Sequence, residues 1–234
     1  MQGVRVEVWP TSAGALHLPL LHGIARAERV AAVLRHCPPG AAVVVEAADL
    51  RDALLASGAH QVRHLHTMRH DLRPPASRPA VPGLTLRGWE TADPERLAPA
   101  LVGAYGADHP DTRDPDLAAA AALRDTADDP DNPLLPATRV AVLDGSPVGA
   151  ALVVRSEHFS RWSGPWLMNV FRAPIVGAAG AGPAMICWVL EALRHAGEQD
   201  LGLAVTSTNP ARRTYEQLGF TYDLEAWVLV LPGG

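Results

Sequence analysis

The stretch PIVGAAGAG, Pro174 to Gly182, runs straight into Pro183 and the apolar segment AMICWVLEALRHA, Ala184 to Ala196. Apolar residues recur there at helical spacing, Pro183 sits at a first-turn position and Gly197 stands just past the end, so a helix is predicted over Pro183 to Ala196. Glycines and alanines at a strand-to-helix junction leave main-chain N–H groups open to an anion, and the helix start adds partial positive charge. The same composition serves a helix that merely packs close on a sheet, so both readings of the loop stay open.

Working outward, Pro165 to Phe171 reads as the strand before the loop, and Leu201 to Thr206 as the strand after the helix. Ala211 to Leu218 is a helix ending at Gly219, and Tyr222 to Leu231 has a strand pattern. Upstream, Thr138 to Leu143 and Val148 to Arg155 are strands flanking Asp144-Gly145-Ser146-Pro147, a hairpin signal. Leu84 to Arg87 is a short strand. Asp93-Pro94 opens a helix as N-cap and first-turn proline, and Pro99 is expected to kink that helix or delay its start. A proline- and aspartate-rich region, Asp108 to Pro136, contains DLAAAAALRD, Asp116 to Asp125, which suits a short helix. The order of elements predicts an α/β fold, α+β with a mixed sheet.

The segment RPPASRPAVPG, Arg73 to Gly83, reads as a semi-extended linker. Before it come a strand at Val4 to Trp9, a helix at Ile24 to Arg35, a strand at Ala42 to Glu46, a helix at Leu50 to Ser57 and a strand at Val62 to Met68. LLASGAHQVRHLHTM, Leu54 to Met68, parallels YEQLGFTYDLEAWVL, Tyr215 to Leu229. Both run from a helix end through Gly58 or Gly219 into a strand. The expected organisation is 1–72 as a partial unit, 73–83 as linker and 84–234 as the main domain.

The 234 residues correspond to one domain and a fraction of another at roughly 100–200 residues each. Hydrophobic residues make up 48%, enough for a core, and a net charge of −5 argues against nucleic acid held by a basic surface. Every one of the 20 cationic residues is Arg. That excludes a phosphate-loop Lys, a Schiff-base Lys and a Lys general base. Cys37 and Cys187 are too few for a disulfide framework and suit a reducing cytoplasm as buried thiols. The uncharged run Ala173 to Leu190 is long enough to consider as a membrane span, but its Pro and Gly residues break it into strand end, loop and helix. No secretory leader is read at the start, so the expectation is a soluble, cytoplasmic protein.

A second informative stretch is NPARRTYEQLGF, Asn209 to Phe220, where Tyr215 sits on a helix closed by Gly219. Alone, it reads as a capped helix with a half-buried Tyr. With GAAGAG, Gly177 to Gly182, in this order and separated by one helix and one strand, it resembles the GNAT N-acetyltransferase family. The resemblance covers Leu84 to Leu231. It implies that Gly177, Ala178, Ala179, Gly180, Ala181 and Gly182 cradle the pyrophosphate of acetyl-CoA, the cosubstrate. It also implies that Asn169, Val170, Phe171 and Arg172 lie where two strands splay to receive the pantetheine arm. Asn209 matches a family position contacting pantetheine or substrate, and Tyr215 matches the general acid that protonates the departing thiolate. The N-terminal part, which lacks the Gly-x-Gly pair in PTSAGALHLPL (Pro10 to Leu20) and has Leu54 where Tyr215 stands, looks like a truncated, non-catalytic GNAT-like unit.

Three departures from the family pattern matter. Gly177 stands where the family carries Arg or Gln, Asn209 is one residue nearer to Tyr215 than usual, and LGLAV, Leu201 to Val205, has no carboxylate to act as base. The resemblance implies acyl transfer to a primary amine within a ternary complex, with an N–H near Val170 or Phe171 stabilising the oxyanion. His158, Glu157 and His109 are candidate bases. Asp108, Asp111, Asp114, Asp116, Asp125, Asp128, Asp129 and Asp131 would steer a cationic amine, or form a solvated acidic loop. The alternative class is a non-catalytic or regulatory CoA-binding module, which the glycine at 177 and the missing base favour. A dinucleotide oxidoreductase is disfavoured because the glycine spacing is reversed and the next strand ends in Thr206.

His60, His64, His66 and His70 invite a metal reading, with His64 and His66 on one strand face. No nearby Cys or further close-set ligand completes a set, so no metal is expected and the histidines read as a polar outer face. The expected partner is a small-molecule or peptide amine, with no nucleic acid and no membrane; a homodimer is compatible with the reading.

Overall fold

A computed structural model describes residues 6–9, 26–74, 80–106, 109, 119–156 and 164–233, with side chains described from residue 30 onward except at 156. Its elements run β1 (Val6–Trp9), α1 (Arg26–His36), β2 (Ala42–Val45), α2 (Ala48–Ala56), β3 (His60–His70), β4 (Leu84–Arg87), α3 (Asp93–Ala104), α4 (Ala119–Ala127), β5 (Arg139–Leu143), β6 (Ser146–Ser156), β7 (Gly164–Arg172), a 3-10 turn (Val176–Ala178), α5 (Ala181–His195), β8 (Leu201–Thr206), α6 (Ala211–Gln217) and β9 (Thr221–Val230). They separate into two compact units, Met68–Tyr222 and Met1–Thr67 with Asp223–Gly234.

In the larger unit the strand order is β8-β7-β6-β5-β4. The β4–β5, β5–β6 and β6–β7 pairs are antiparallel, and β7–β8 is parallel, which makes the sheet mixed as the sequence predicts. The β5–β6 hairpin closes through Asp144 and Gly145, both at positive φ (49° and 78°), the primed geometry that matches strand twist. Alternation along the strands fills two cores. Ala151, Val153 and Ala141 face α5, whose buried Met185, Ile186, Val189, Leu190 and Leu193 pack on that side. Val140, Ala150, Leu152 and Phe171 face Leu97 and Ala100 of α3 and Leu123 of α4. The stretch Val176–His195 is long and apolar enough to cross a membrane by length and composition. Eight of the fifteen residues of α5 are buried, which accounts for its apolar character as core packing.

Two local expectations change. Asp93 does not cap α3; the residue before the helix is Ala92, and Asp93 itself is fully buried. Its carboxylate takes a bidentate pair from Arg87 (2.6 and 2.8 Å) and the Glu90 amide (2.7 Å), so it ties the β4–α3 connection rather than the helix amides. Pro99 lies inside α3, which is continuous from Asp93 to Ala104.

In the smaller unit, β1–β2 and β2–β9 are antiparallel and β3 neighbours β9. Its core joins Val33, Val43, Val45, Leu50 and Leu54 to Trp227, Leu229 and Leu231. The last strand therefore completes the N-terminal core, while Met68 and Leu72 pack in the larger one. The expected divisions at 72, 73–83 and 84 differ from these because local composition marks the proline-rich stretch but not the strand pairing. Residues 75–79 of that stretch lie outside the described residues. The Gly58 and Gly219 parallel is visible locally: each follows a helix (α2, α6), takes positive φ (94° and 96°) and leads into a strand (β3, β9).

The histidines of β3 do not form one polar outer face. His70 is buried, its Nδ1 accepting from the Leu72 amide (2.9 Å), which leaves Nε2–H to donate to the Leu218 carbonyl (3.0 Å). Burial pushes its pKa down, partly offset by the Leu218 bond and by Asp71. Cys37 and Cys187 are both buried, as expected, with no disulfide between them, and burial pushes the Cys37 thiol up.

Candidate acyl-CoA site

β7 is paired along its length with β6: Asn169 faces Leu152, Val170 faces Ala151, Phe171 faces Ala150 and Arg172 faces Gly149. The register skips Met168 between Leu167–Val153 and Asn169–Leu152, a bulge that increases local twist. On its other edge, β7 meets β8 in register at a single pair, Trp166 with Gly202. Gly202 is needed there, since a Cβ would lie 2.6 Å from the Trp166 ring. Among the described residues, the strands have no further paired positions toward Arg172 and Thr206. From Asn169 to Arg172, where the splay is expected, that edge of β7 has no paired position with β8.

The chain leaves β7 through Ala173 and Pro174 into the 3-10 turn and then α5. Two loop amides are used internally: Ala178 N–H donates to Ile175 O (3.1 Å) and Ala179 N–H to Val176 O (3.0 Å). The next three, on Gly180, Ala181 and Gly182, find no main-chain acceptor among the described residues; Pro183 has no N–H, and the first helical bond runs from Ala184 to Gly180 (3.1 Å). Gly180 precedes the helix at φ 83° and ψ −9°, a left-handed conformation that suits glycine. Gly180 and Gly182 are half-buried and Ala181 is buried, so the helix starts with three successive amides that lack a main-chain acceptor and with no side-chain cap, an arrangement of the kind that can receive an anion. The amides that lack a main-chain acceptor thus lie in the second half of GAAGAG only. Gly177 is exposed beside Leu143, and a Cβ there would lie 2.9 Å from Leu143 Cδ2.

Tyr215 lies on α6, buried in the larger core and edge-on to Phe220 with centroids 5.7 Å apart. Asn209 uses its Oδ1 to accept from the Ala211 amide (2.8 Å), so that oxygen organises the start of α6 instead of standing free for a ligand. Arg172 donates to the adjacent Ala173 carbonyl (3.0 Å). Asn169 accepts from the Tyr105 hydroxyl (2.7 Å), and the Tyr105 ring meets His109 edge-on at 4.7 Å. This turns the Asn169 side chain to the α3 end, so its expected cofactor role narrows to the main chain. Tyr105 opens the stretch to Pro136 where the family resemblance puts the acceptor; its bond to Asn169, 64 positions on, follows from no local pattern. His158, Glu157, Asp108, Asp111, Asp114, Asp116 and the Pro10 to Leu20 segment lie outside the described residues. In the rest of the acidic loop, Asp129 binds the Asp131 amide and Asn132 (both 2.9 Å), a self-contained turn.

No protein-family profile matches the chain, and no curated protein matches it by sequence. Solved structures do. A GCN5-related N-acetyltransferase from Sphaerobacter thermophilus superposes with TM-score 0.55 at 17% identity, over 89% of this chain and 66% of that one. A functionally unknown conserved protein from Staphylococcus epidermidis gives 0.55 at 12% identity, over 80% and 68%. A tandem GNAT protein from the clavulanic acid biosynthesis pathway gives 0.54 at 19% identity, over 77% and 57%. The chain thus spans just under two thirds of the first of these proteins and less of the third. At such identities the likeness is one of fold. With a mixed sheet, a β7–β8 pair joined at one end and a small-residue turn into α5, the chain has the fold of the GCN5-related N-acetyltransferases.

Proposed function

We propose that this protein is an acetyl-CoA-dependent N-acetyltransferase, acting on a primary amine of a small molecule or peptide in the cytoplasm. The observation that carries the reading is the conjunction of a β7 edge unpaired beyond Trp166 with three amides, on Gly180, Ala181 and Gly182, that have no main-chain acceptor. The amides suit a diphosphate, and the strand edge suits an extended arm that carries amide groups of its own. The acceptor amine, once neutral, attacks the thioester carbonyl carbon; the C–N bond forms as the C–S bond breaks. A main-chain N–H near Val170 or Phe171 stabilises the oxyanion, and the Tyr215 hydroxyl gives its proton to the departing thiolate. His109 is the candidate acceptor of the amine proton among the described residues, held beside Tyr105 and Asn169. The fold likeness supports this chemistry at the level of the scaffold.

A second reading, a CoA-binding module without turnover, is favoured by the absence of a carboxylate from β8 and by the engagement of Asn209 at the start of α6. Thiol release from acetyl-CoA across a panel of primary amines separates the two. Amine-dependent release supports the transferase, and CoA binding without release with any amine supports the module.

A further inference from the structure

Outside the elements of the acyl-CoA site, the smaller unit holds a cluster of metal-ligating side chains. His64 and His66 are two apart on β3 and so project to one face of the strand. Glu225 comes from the neighbouring strand β9. One ligand atom from each of the three lies within 4.8 Å of the others. His64 Nε2 is shielded from solvent and makes no hydrogen bond, and it faces Glu225 Oε1 at 3.6 Å, beyond hydrogen-bond reach. A tetrahedral ion with bonds of about 2.0–2.1 Å holds its ligand atoms about 3.3 Å apart. The His64–Glu225 gap therefore needs a contraction of only a few tenths of an ångström, and the widest separation is within reach of a side-chain rotation.

The surroundings fix this arrangement. The His64 ring stacks on Trp227, with centroids 5.5 Å apart and planes 9° apart, and Trp227 is buried in the smaller core. The Arg51 guanidinium covers Trp227 at 4.4 Å, and the His66 ring stands 5.0 Å from that of His64. All three residues are partly exposed, although His64 Nε2 itself is shielded. Two imidazoles with one carboxylate suit Zn²⁺ and its neighbours in the divalent series, whereas Mg²⁺ and Ca²⁺ prefer all-oxygen sets.

We propose that His64, His66 and Glu225 bind one Zn²⁺-class ion, with water completing the coordination, and that the ion clips β3 to β9. This inference does not rest on the acyl-transfer reading. It adds a ligand that β3 alone does not reveal, because Glu225 is brought in by strand pairing.

The test uses the full chain stripped with a chelator and titrated with Zn²⁺ against a chromophoric competitor, with Mg²⁺ in parallel. One equivalent of Zn²⁺ is expected to bind and raise the thermal midpoint, and Mg²⁺ to do neither. His64→Gln and Glu225→Gln should each weaken binding at least about tenfold, the scale on which even supporting residues of metal sites act. His195→Gln, an exposed histidine in the other unit, should leave binding unchanged. Far-UV circular dichroism and a metal-free urea midpoint establish that each variant folds. Should either fail to fold, Co²⁺ added to the wild-type chain gives a second readout, the expected result being intense visible bands of a four-coordinate ion. Equal Zn²⁺ affinity in wild type and Glu225→Gln, an unshifted midpoint, or a Co²⁺ spectrum like that of the aqueous ion overturns the proposal.

Discussion

Replacing Gly180 with Ala probes the turn into α5 through two separable costs. The backbone there has φ 83° and ψ −9°, and holding an L-residue in that left-handed conformation costs about 1–2 kcal/mol. A Cβ would also stand 3.2 Å from Val81 Cγ2, a contact that must give by a few tenths of an ångström and adds at most about 1 kcal/mol. The expected loss in urea-unfolding free energy is therefore about 1–3 kcal/mol. Should the backbone instead leave the left-handed region, the amides at this helix start change direction. Losing one hydrogen bond to a charged phosphate, about 1.5 kcal/mol, weakens CoA binding about tenfold. Val81→Ala separates the terms: Gly180→Ala made in that background recovers the contact cost and retains the backbone cost. Equilibrium urea unfolding and calorimetric CoA titration on the four proteins read both. Unchanged stability together with unchanged CoA affinity in Gly180→Ala would refute the assignment of a left-handed glycine cradle at this helix start.

Tyr215→Phe keeps the edge-on contact with Phe220 and removes the proton donor, so turnover should fall by about 10²–10⁴-fold with CoA affinity within a few-fold of wild type, measured by thiol release and calorimetry. Asp93→Ala leaves Arg87 without its buried partner, and urea unfolding should show a loss of about 3–5 kcal/mol, toward the lower figure because Arg87 retains some solvent contact. His70 has a folded pKa pushed below its ordinary 6.5 by burial, so between those values the unfolded chain binds more protons than the folded one. Stability from this group is complete above pH 6.5 and declines as pH falls from there toward the folded pKa, by at most about 1.4 kcal/mol per pH unit. His70→Gln should flatten that slope, read from urea midpoints between neutral and mildly acid pH; an unchanged slope would contradict the burial argument.

The elements of the larger unit were legible wherever local pattern and turn chemistry agree. Leu84–Arg87 and Leu201–Thr206 match the expected strands end for end, and the Asp144-Gly145 turn closes the expected hairpin. Each of these depends on neighbours in sequence. What the sequence could not supply were the pairings made across it. Nothing local in TYDLEAWVLV indicates that Trp227 and Leu229 complete a core with Val33 and Leu50, so β9 reads as the end of one domain and packs with another. His70 looks like its polar neighbours on β3 until Leu218 and Leu72 are seen to satisfy both ring nitrogens. Asp93 carries the signature of a helix cap, yet Arg87 offers a charged, two-bond partner that outcompetes the helix amides.

For the site, the glycine–alanine loop and the Tyr215 helix were legible as a small-residue turn into a helix and a helix closed by Gly219, because both follow from composition, whereas their chemical roles came from the family resemblance. The division of labour within the loop was not. Ala178 and Ala179 spend their amides on the 3-10 turn, so the proposed role falls to Gly180, Ala181 and Gly182, whose amides have no main-chain acceptor. The link from Tyr105 to Asn169 depends on how α3 packs over β7, which no spacing encodes.

The central claim is that these three main-chain N–H groups hold a diphosphate, and amide NMR on the ¹⁵N-labelled chain tests it most directly. On titration with CoA, the resonances of Gly180, Ala181 and Gly182 should shift downfield together and saturate, whereas pantetheine, which lacks the diphosphate, should leave them in place. If CoA binds while those three amides stay unmoved, or if CoA does not bind, the account is contradicted.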